Sequence, residues 1–143
     1  MSIHLISVND EKEIVDAIKE AENNTSGEIR VHIEKECKED VFSRAKDVFE
    51  YLKMHETELK NGVLFYVSTS NRQFYILGDK GIDEVVEANF WESTKEIVIA
   101  HFKKEQFKQG LVEGILKAGE QLKKFFPYQK DDINELSDEI SRG

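Results

Sequence analysis

The stretch NGVLFYVSTSNRQFYILGD, residues 61–79, decides the fold. Val63, Leu64, Phe65, Tyr66 and Val67 form an apolar run too continuous for a sheet with one wet face, which predicts a central strand covered on both sides. Thr69, Ser70 and Asn71 are turn formers, and a second run from Gln73 to Leu77 follows at once, so an antiparallel hairpin is the simplest reading. Asn61-Gly62 opens this unit and Gly78 ends it.

Upstream of it, Asp40 can cap a helix in which Val41, Phe42, Ala45, Val48, Phe49 and Leu52 recur at the 3.6-residue period up to about Met54. Before that helix, Ile29, Val31 and Ile33 alternate with Arg30, His32 and Glu34, the period-two pattern of a half-covered strand. The turn NNTSG separates this strand from a first helix over residues 7–23, with Ser7, Asn9 and Asp10 as candidate caps and Ile14, Val15, Ile18 and Ala21 at helical spacing. A strand, a crossover helix and a strand predict a right-handed parallel pair, and the hairpin adds an antiparallel strand. Downstream of the acidic stretch 79–89, Phe90, Trp91, Ile97, Val98, His101 and Phe102 mark a third helix. A fourth runs from Phe107 to Phe125 and stops before Pro127. The predicted order is α-β-α-β-β-α-α, a mixed sheet with helices on both faces. Residues 128–143 are polar and acidic, and read as a loosely docked or disordered tail.

Composition narrows the function classes. The 143 residues fit a single domain, and 20 Lys and Arg against 29 Asp and Glu make a negative surface that repels phosphate backbones, so nucleic acid is not an expected partner. The single Cys37 cannot form an internal disulfide. The opening MSIHLISVNDEKEI lacks a basic start followed by an apolar run, and nothing approaches the roughly 18 apolar residues of a membrane span. These features lead us to expect a cytoplasmic monomer without membrane contact.

The pieces TSGEIRVHI, NGVLFYVSTSNRQFYILGDKGID and FWESTKEIVIAHFKKEQFKQGLVEGILKAGEQL resemble, in order and spacing, the TPM-domain family in its short stand-alone bacterial form. The likeness covers roughly residues 7–127, and S-G-E-I, N-G-V-L and G-D-K-G-I-D are its most specific parts. It implies a three-layer αβα sandwich around a small mixed central sheet, with one domain over 1–127 and the acidic tail beyond. Members of the family are described in part as acid phosphatases and in part as binders of divalent ions. The signal peptide and transmembrane tail of the larger members have no counterpart here, so membrane-linked roles are not carried over.

Chain path then singles out one end of the sheet. If the strand carrying Ile29 and the strand starting at Gly62 run parallel, their N-terminal ends lie together, and the hairpin returns residues 78–84 to that same end. Ser26 and Glu28, Asn61, and the loop residues Asp79, Asp83, Glu84 and Glu87 would converge there. Gathered carboxylates repel one another unless protonated, hydrated or bridged by a cation, and hard oxygen ligands suit Ca²⁺ or Mg²⁺ rather than zinc. Ca²⁺ is preferred because it tolerates irregular loops with mixed carboxylate and backbone oxygens, and Gly78 and Gly81 allow carbonyls to turn toward an ion. The stretch is not an EF-hand: with Asp79 as the first position, Gly81 and Phe90 stand where carboxylates are needed. The plainer alternative is that Asp83 caps a helix turn and that Glu84, Glu87 and Glu92 occupy a solvated face.

Catalytic signatures are missing. No Gly-x-Ser-x-Gly elbow, Gly-rich phosphate loop or His-Glu-x-x-His motif occurs, and Cys37 has acidic neighbours rather than an Arg-bearing phosphate loop. His4, His32, His55 and His101 are scattered, and Phe90-Trp91 fits core packing better than a binding box. Three readings stay open. One is a metal-responsive binding module, the second a metal-assisted phosphomonoesterase with Arg72 or Lys80 as phosphate partner, and the third a ligand-free scaffold that pairs with another protein through its last helices.

Overall fold

The computed structural model describes residues 7–128 and 137–142. Its elements are α1 (Val8–Glu22), β1 (Glu28–Glu34), α2 (Val41–Tyr51), a 3-10 turn (Met54–Glu56), β2 (Gly62–Ser68), β3 (Gln73–Gly78), α3 (Lys80–Asp83), α4 (Glu92–Lys103), α5 (Phe107–Lys123) and β4 (Ser141–Arg142). Ser7 caps α1 in a reciprocal box with Asp10, and Asp40 caps α2 by accepting from the Ser43 N–H. The second predicted helix is shorter than its periodicity because Lys53 takes a left-handed conformation, φ 58°, and the chain tightens into the 3-10 turn.

The sheet has the order β3-β2-β1-β4. β1 pairs in parallel with β2, placing Glu28 opposite Gly62, and β2 pairs antiparallel with β3, placing Val63 opposite Gly78. Both pairings match the sequence reading, and all seven β2 residues are buried as a central strand requires. The alternation divides them: Val63, Phe65 and Val67 join Ile29, Val31 and Ile33 in a core with α1, α4 and α5. Leu64 and Tyr66 face the other way, into a smaller core with Ala45, Val48 and Phe49 of α2. The result is the expected α/β sandwich, with a thick helical layer on one face and α2 alone on the other.

Two features lie outside the sequence reading. The one-turn helix α3 interrupts the acidic stretch after β3, and residues 137–142 return to the sheet, where β4 runs parallel to β1 with Ser141 opposite His32. The expectation of a loosely docked tail falls in part on residues 129–136, which lie outside the described residues, as do residues 1–6 of the proposed domain.

Candidate functional site

The predicted end of the sheet splits into two places. On the β1–β2 side, Asn61 is buried; its backbone oxygen accepts from the Glu28 N–H at 3.3 Å, and its side-chain amide reaches Ser26 Oγ at 3.5 Å. Ser26, Glu28 and Asn61 do converge, as a polar clasp joining the starts of two parallel strands. On the β3 side, the Asp79 N–H donates to the Gly62 oxygen at 2.9 Å, continuing the ladder. Glu28 and Asp79 therefore flank Gly62 from opposite sides, two strand spacings or roughly 10 Å apart along the backbone.

Asp79 and Asp83 are brought together. Asp79 caps α3 through Oδ1, which accepts from the Lys80 N–H at 2.8 Å, so the cap is Asp79 and not Asp83. The other oxygen, Oδ2, is buried and has no hydrogen-bond partner. Asp83 lies one helical turn on and is exposed at the cleft; the desolvation it does undergo there, and then the charge of Asp79, push its carboxyl above the ordinary value. Tyr75 of β3 lies in the same neighbourhood, its phenol raised by burial and then by the charges of Asp40 and Asp83. Gly81 makes this turn possible, because a Cβ there would fall inside contact distance of the Leu59 and Lys60 carbonyl oxygens. Glu84 and Glu87 are exposed, on the stretch that leads away toward α4. Among the described residues, no group of three or more His, Cys, Asp or Glu side chains is arranged to hold a metal ion.

The two aspartates line one wall of a cleft of ≈ 540 Å³ between β3 and α2. Phe42, Phe49 and Leu77 supply apolar surface, and Lys46, Glu50 and His55 add ionisable groups from the α2 side. The sequence reading missed these last three. Lys46 and Glu50 sit four apart on one helix face, a spacing that could have flagged them, whereas His55 carried no signal. Arg72 belongs elsewhere: it lies in the β2–β3 turn at the other end of the sheet, pairs with Glu105 at 2.9 Å and rests over the Phe107 ring.

A second polar cluster lies on the α2 side of the sheet, at the far end of β1. Glu34 is buried; its Oε2 accepts from Arg44 Nε at 2.9 Å and from the Tyr66 hydroxyl, and its Oε1 accepts from Arg44 Nη2 at 2.8 Å and lies 3.1 Å from His32 Nε2. Burial would raise this carboxyl, but Arg44, Tyr66 and His32 outweigh it and hold it down at about 2. The other His32 nitrogen lies 2.9 Å from Ser141 Oγ. His101 binds the Ile97 oxygen and Glu113, while Phe90 and Trp91 meet each other edge to face and pack against the main core. His4 lies outside the described residues.

The layers, the parallel-then-antiparallel sheet and the carboxylate pair at the β3–α3 junction define a small α/β sandwich with an acidic cleft on its thinner side. Comparison with known proteins makes this specific. The TPM domain family model matches residues 2–121, and the chain belongs to that family. It is similar to the BA42 protein of the psychrophilic bacterium Bizionia argentinensis, solved by NMR, with 56% identity over 96% of this chain and 95% of that one and a TM-score of 0.92. The N-terminal domain of a P. gingivalis protein, also solved by NMR, shares the fold at 16% identity and a TM-score of 0.69, over 90% of this chain and 84% of that one. No curated protein matches the chain. No helix among the described residues is long and apolar enough to cross a membrane.

Proposed function

We propose that this TPM module binds a hard divalent cation, Ca²⁺ in preference to Mg²⁺, through Asp79 and Asp83 in the α2–β3 cleft, and that the ion orders the 79–92 stretch as a surface for a protein partner. One observation carries the reading: Asp79 keeps a buried carboxylate oxygen with no hydrogen-bond partner, beside a second carboxylate and on the wall of an open cleft. Such an oxygen costs free energy unless a positive group meets it, and a Ca²⁺ ion completes its shell with backbone oxygens and water. Glu28, Glu84 and Glu87 are left out of this ligand set because Glu28 lies across the sheet and neither Glu84 nor Glu87 lines the cleft.

The experiment is a titration of Ca²⁺ and of Mg²⁺ into metal-stripped protein, followed by amide NMR. The expected result is saturable shifts at residues 79–87, larger for Ca²⁺ and abolished in Asp79→Asn and Asp83→Asn. Silence of those amides at about millimolar ion, the weak end of known Ca²⁺ sites, would sink the proposal.

A phosphomonoesterase reading draws on a separate observation, the presence of Lys46 and His55 in the same cleft as the aspartates. Lys46 would face the phosphoryl oxygens and water would supply the nucleophile, with the cation lending charge to the developing oxyanion. Arg72 has no part in this, being tied to Glu105 at the opposite end of the sheet. Loss of phosphomonoester hydrolysis in both Lys46→Ala and Asp83→Asn is the expected result; activity that survives both belongs to a contaminant.

A further inference from the structure

The outer side of β1 carries ionisable groups that the Asp79 cleft does not use. Glu22, the last residue of α1, is half-buried beside it, and its Oε2 accepts from the Ile29 N–H at 3.0 Å. Residues 137–142 lie along this side. Ser141–Arg142 pairs with His32 and Ile33, Ser141 Oγ meets His32 Nδ1, and Ile140 packs against the main core. Arg142 is ion-paired with Glu11 of α1, and Glu139 sets its charge toward Arg30. Asp138 meets Glu22 side chain to side chain. Two carboxyl groups can share a hydrogen bond only when one of them carries a proton, since an ionised carboxylate has nothing to donate.

We propose that residues 137–142 form a pH-released strap, docked along β1 through a proton held between Glu22 and Asp138 and detached when that proton leaves. Three groups face Glu22: Asp138 from the strap, Glu28 from the start of β1, and the Ile29 N–H. Burial, then the Asp138 contact and the two neighbouring charges, push the Glu22 carboxyl up to about 9, against the lowering effect of the Ile29 N–H. Once the strap is off, Glu22 regains water, loses one of its two anionic neighbours, and titrates lower. Docking therefore takes up a proton. It is strongest below the titration point of the released form and weakens as pH rises toward about 9, by up to about tenfold per pH unit.

The other attachments are of a different kind: Arg142 is ion-paired with Glu11, and Ser141 Oγ meets His32, whose imidazole is lowered from its ordinary value by burial. Release bares the outer edge of β1 around His32 and Ile33, a row of backbone donors and acceptors that an extended segment can pair with.

The test uses the full chain and amide NMR from about pH 5.5 to about pH 9.5, reading Ile33, Ser141 and Arg142 against Phe65 of β2 as an internal control. In the unaltered protein, the three strap-side signals are expected to move toward released positions as pH rises, with the ratio of docked to released falling by up to about tenfold per unit. Phe65 stays in place. Glu22→Gln, which cannot ionise, should hold the strap docked throughout. Where that variant does not fold, Asp138→Asn gives Glu22 an amide donor in place of a competing charge and should flatten the curve as well. Strap signals that ignore pH in the unaltered protein, or that move equally in the neutral variants, overturn the proposal.

Discussion

Glu34 and Asp79 are both buried carboxylates on the α2 side of one sheet, at opposite ends, and the protein treats them differently. Glu34 is met by Arg44, Tyr66 and His32, so both of its oxygens are satisfied and its charge is held by the fold itself. Asp79 has one backbone donor on Oδ1 and none on Oδ2, and its nearest acidic neighbour, Asp83, is driven toward protonation. The first arrangement is complete without a ligand; the second is incomplete. Burial alone does not make a carboxylate functional. The count of its partners separates a structural ion network from a candidate site.

Four measurements break or sharpen that contrast, beginning with the largest effect. Replacing Arg44 by Ala leaves Glu34 buried without its bidentate partner and should lower stability in urea by about 3 kcal/mol, as the loss of one partner from a buried pair does. A change under about 0.5 kcal/mol would mean that Tyr66 and His32 suffice, as a surface-like pair would allow. The acid limb of stability follows from the same residue. Because the Glu34 carboxyl is depressed to about 2 from its ordinary 4.5, its stabilisation is present above 4.5 and lost as pH falls toward 2. The loss should be on the order of 3 kcal/mol over that window in the unaltered protein, with a flatter limb in Glu34→Gln.

Third in size is Gly81→Ala, which forces a methyl group against the Leu59 and Lys60 carbonyls and should cost about 1–3 kcal/mol in urea. It should also weaken any cation response at Asp79 and Asp83 by displacing α3. The smallest effect tests the other half of the comparison: Asp79→Asn in metal-free protein should change stability by no more than about 1 kcal/mol, and in the stabilising direction, because it removes an unmet charge. Marked destabilisation would show that Asp79 is satisfied by the fold after all, as Glu34 is.

The layers were legible because hydrophobic period and continuity report them directly. The apolar run at 63–67 is covered on both faces as read, but the alternation at 29–33 misled: β1 is not half-covered, because His32 and Glu34 are buried on the α2 side, where Arg44 and Tyr66 partner the Glu34 carboxylate. The parallel pairing of β1 with β2 followed from the intervening helix. The return of residues 141–142 to β1 was not legible: two residues carry no period, and their docking rests on partners such as Glu11 and His32 that are more than a hundred positions away. The candidate site was half legible. Chain path correctly brought Ser26, Glu28 and Asn61 to the same end as Asp79, but sequence could not tell that Gly62 stands between Glu28 and Asp79. Nor could it show that Lys46, Glu50 and His55 form the facing wall, since that depends on how α2 is seated over β3.

The two pairings of β2 differ in how much chain must be gathered to make them. Its contacts with β3 close a turn of a few residues between Ser68 and Gln73, whereas Glu28 and Gly62 must be brought together with an entire helix looped out between them. Loop closure of the second kind costs more entropy before any contact repays it, so the hairpin is placed to form early and β1 to join late. Kinetic analysis of Val67→Ala and Ile33→Ala would then find folding slowed mainly by the first and unfolding hastened mainly by the second.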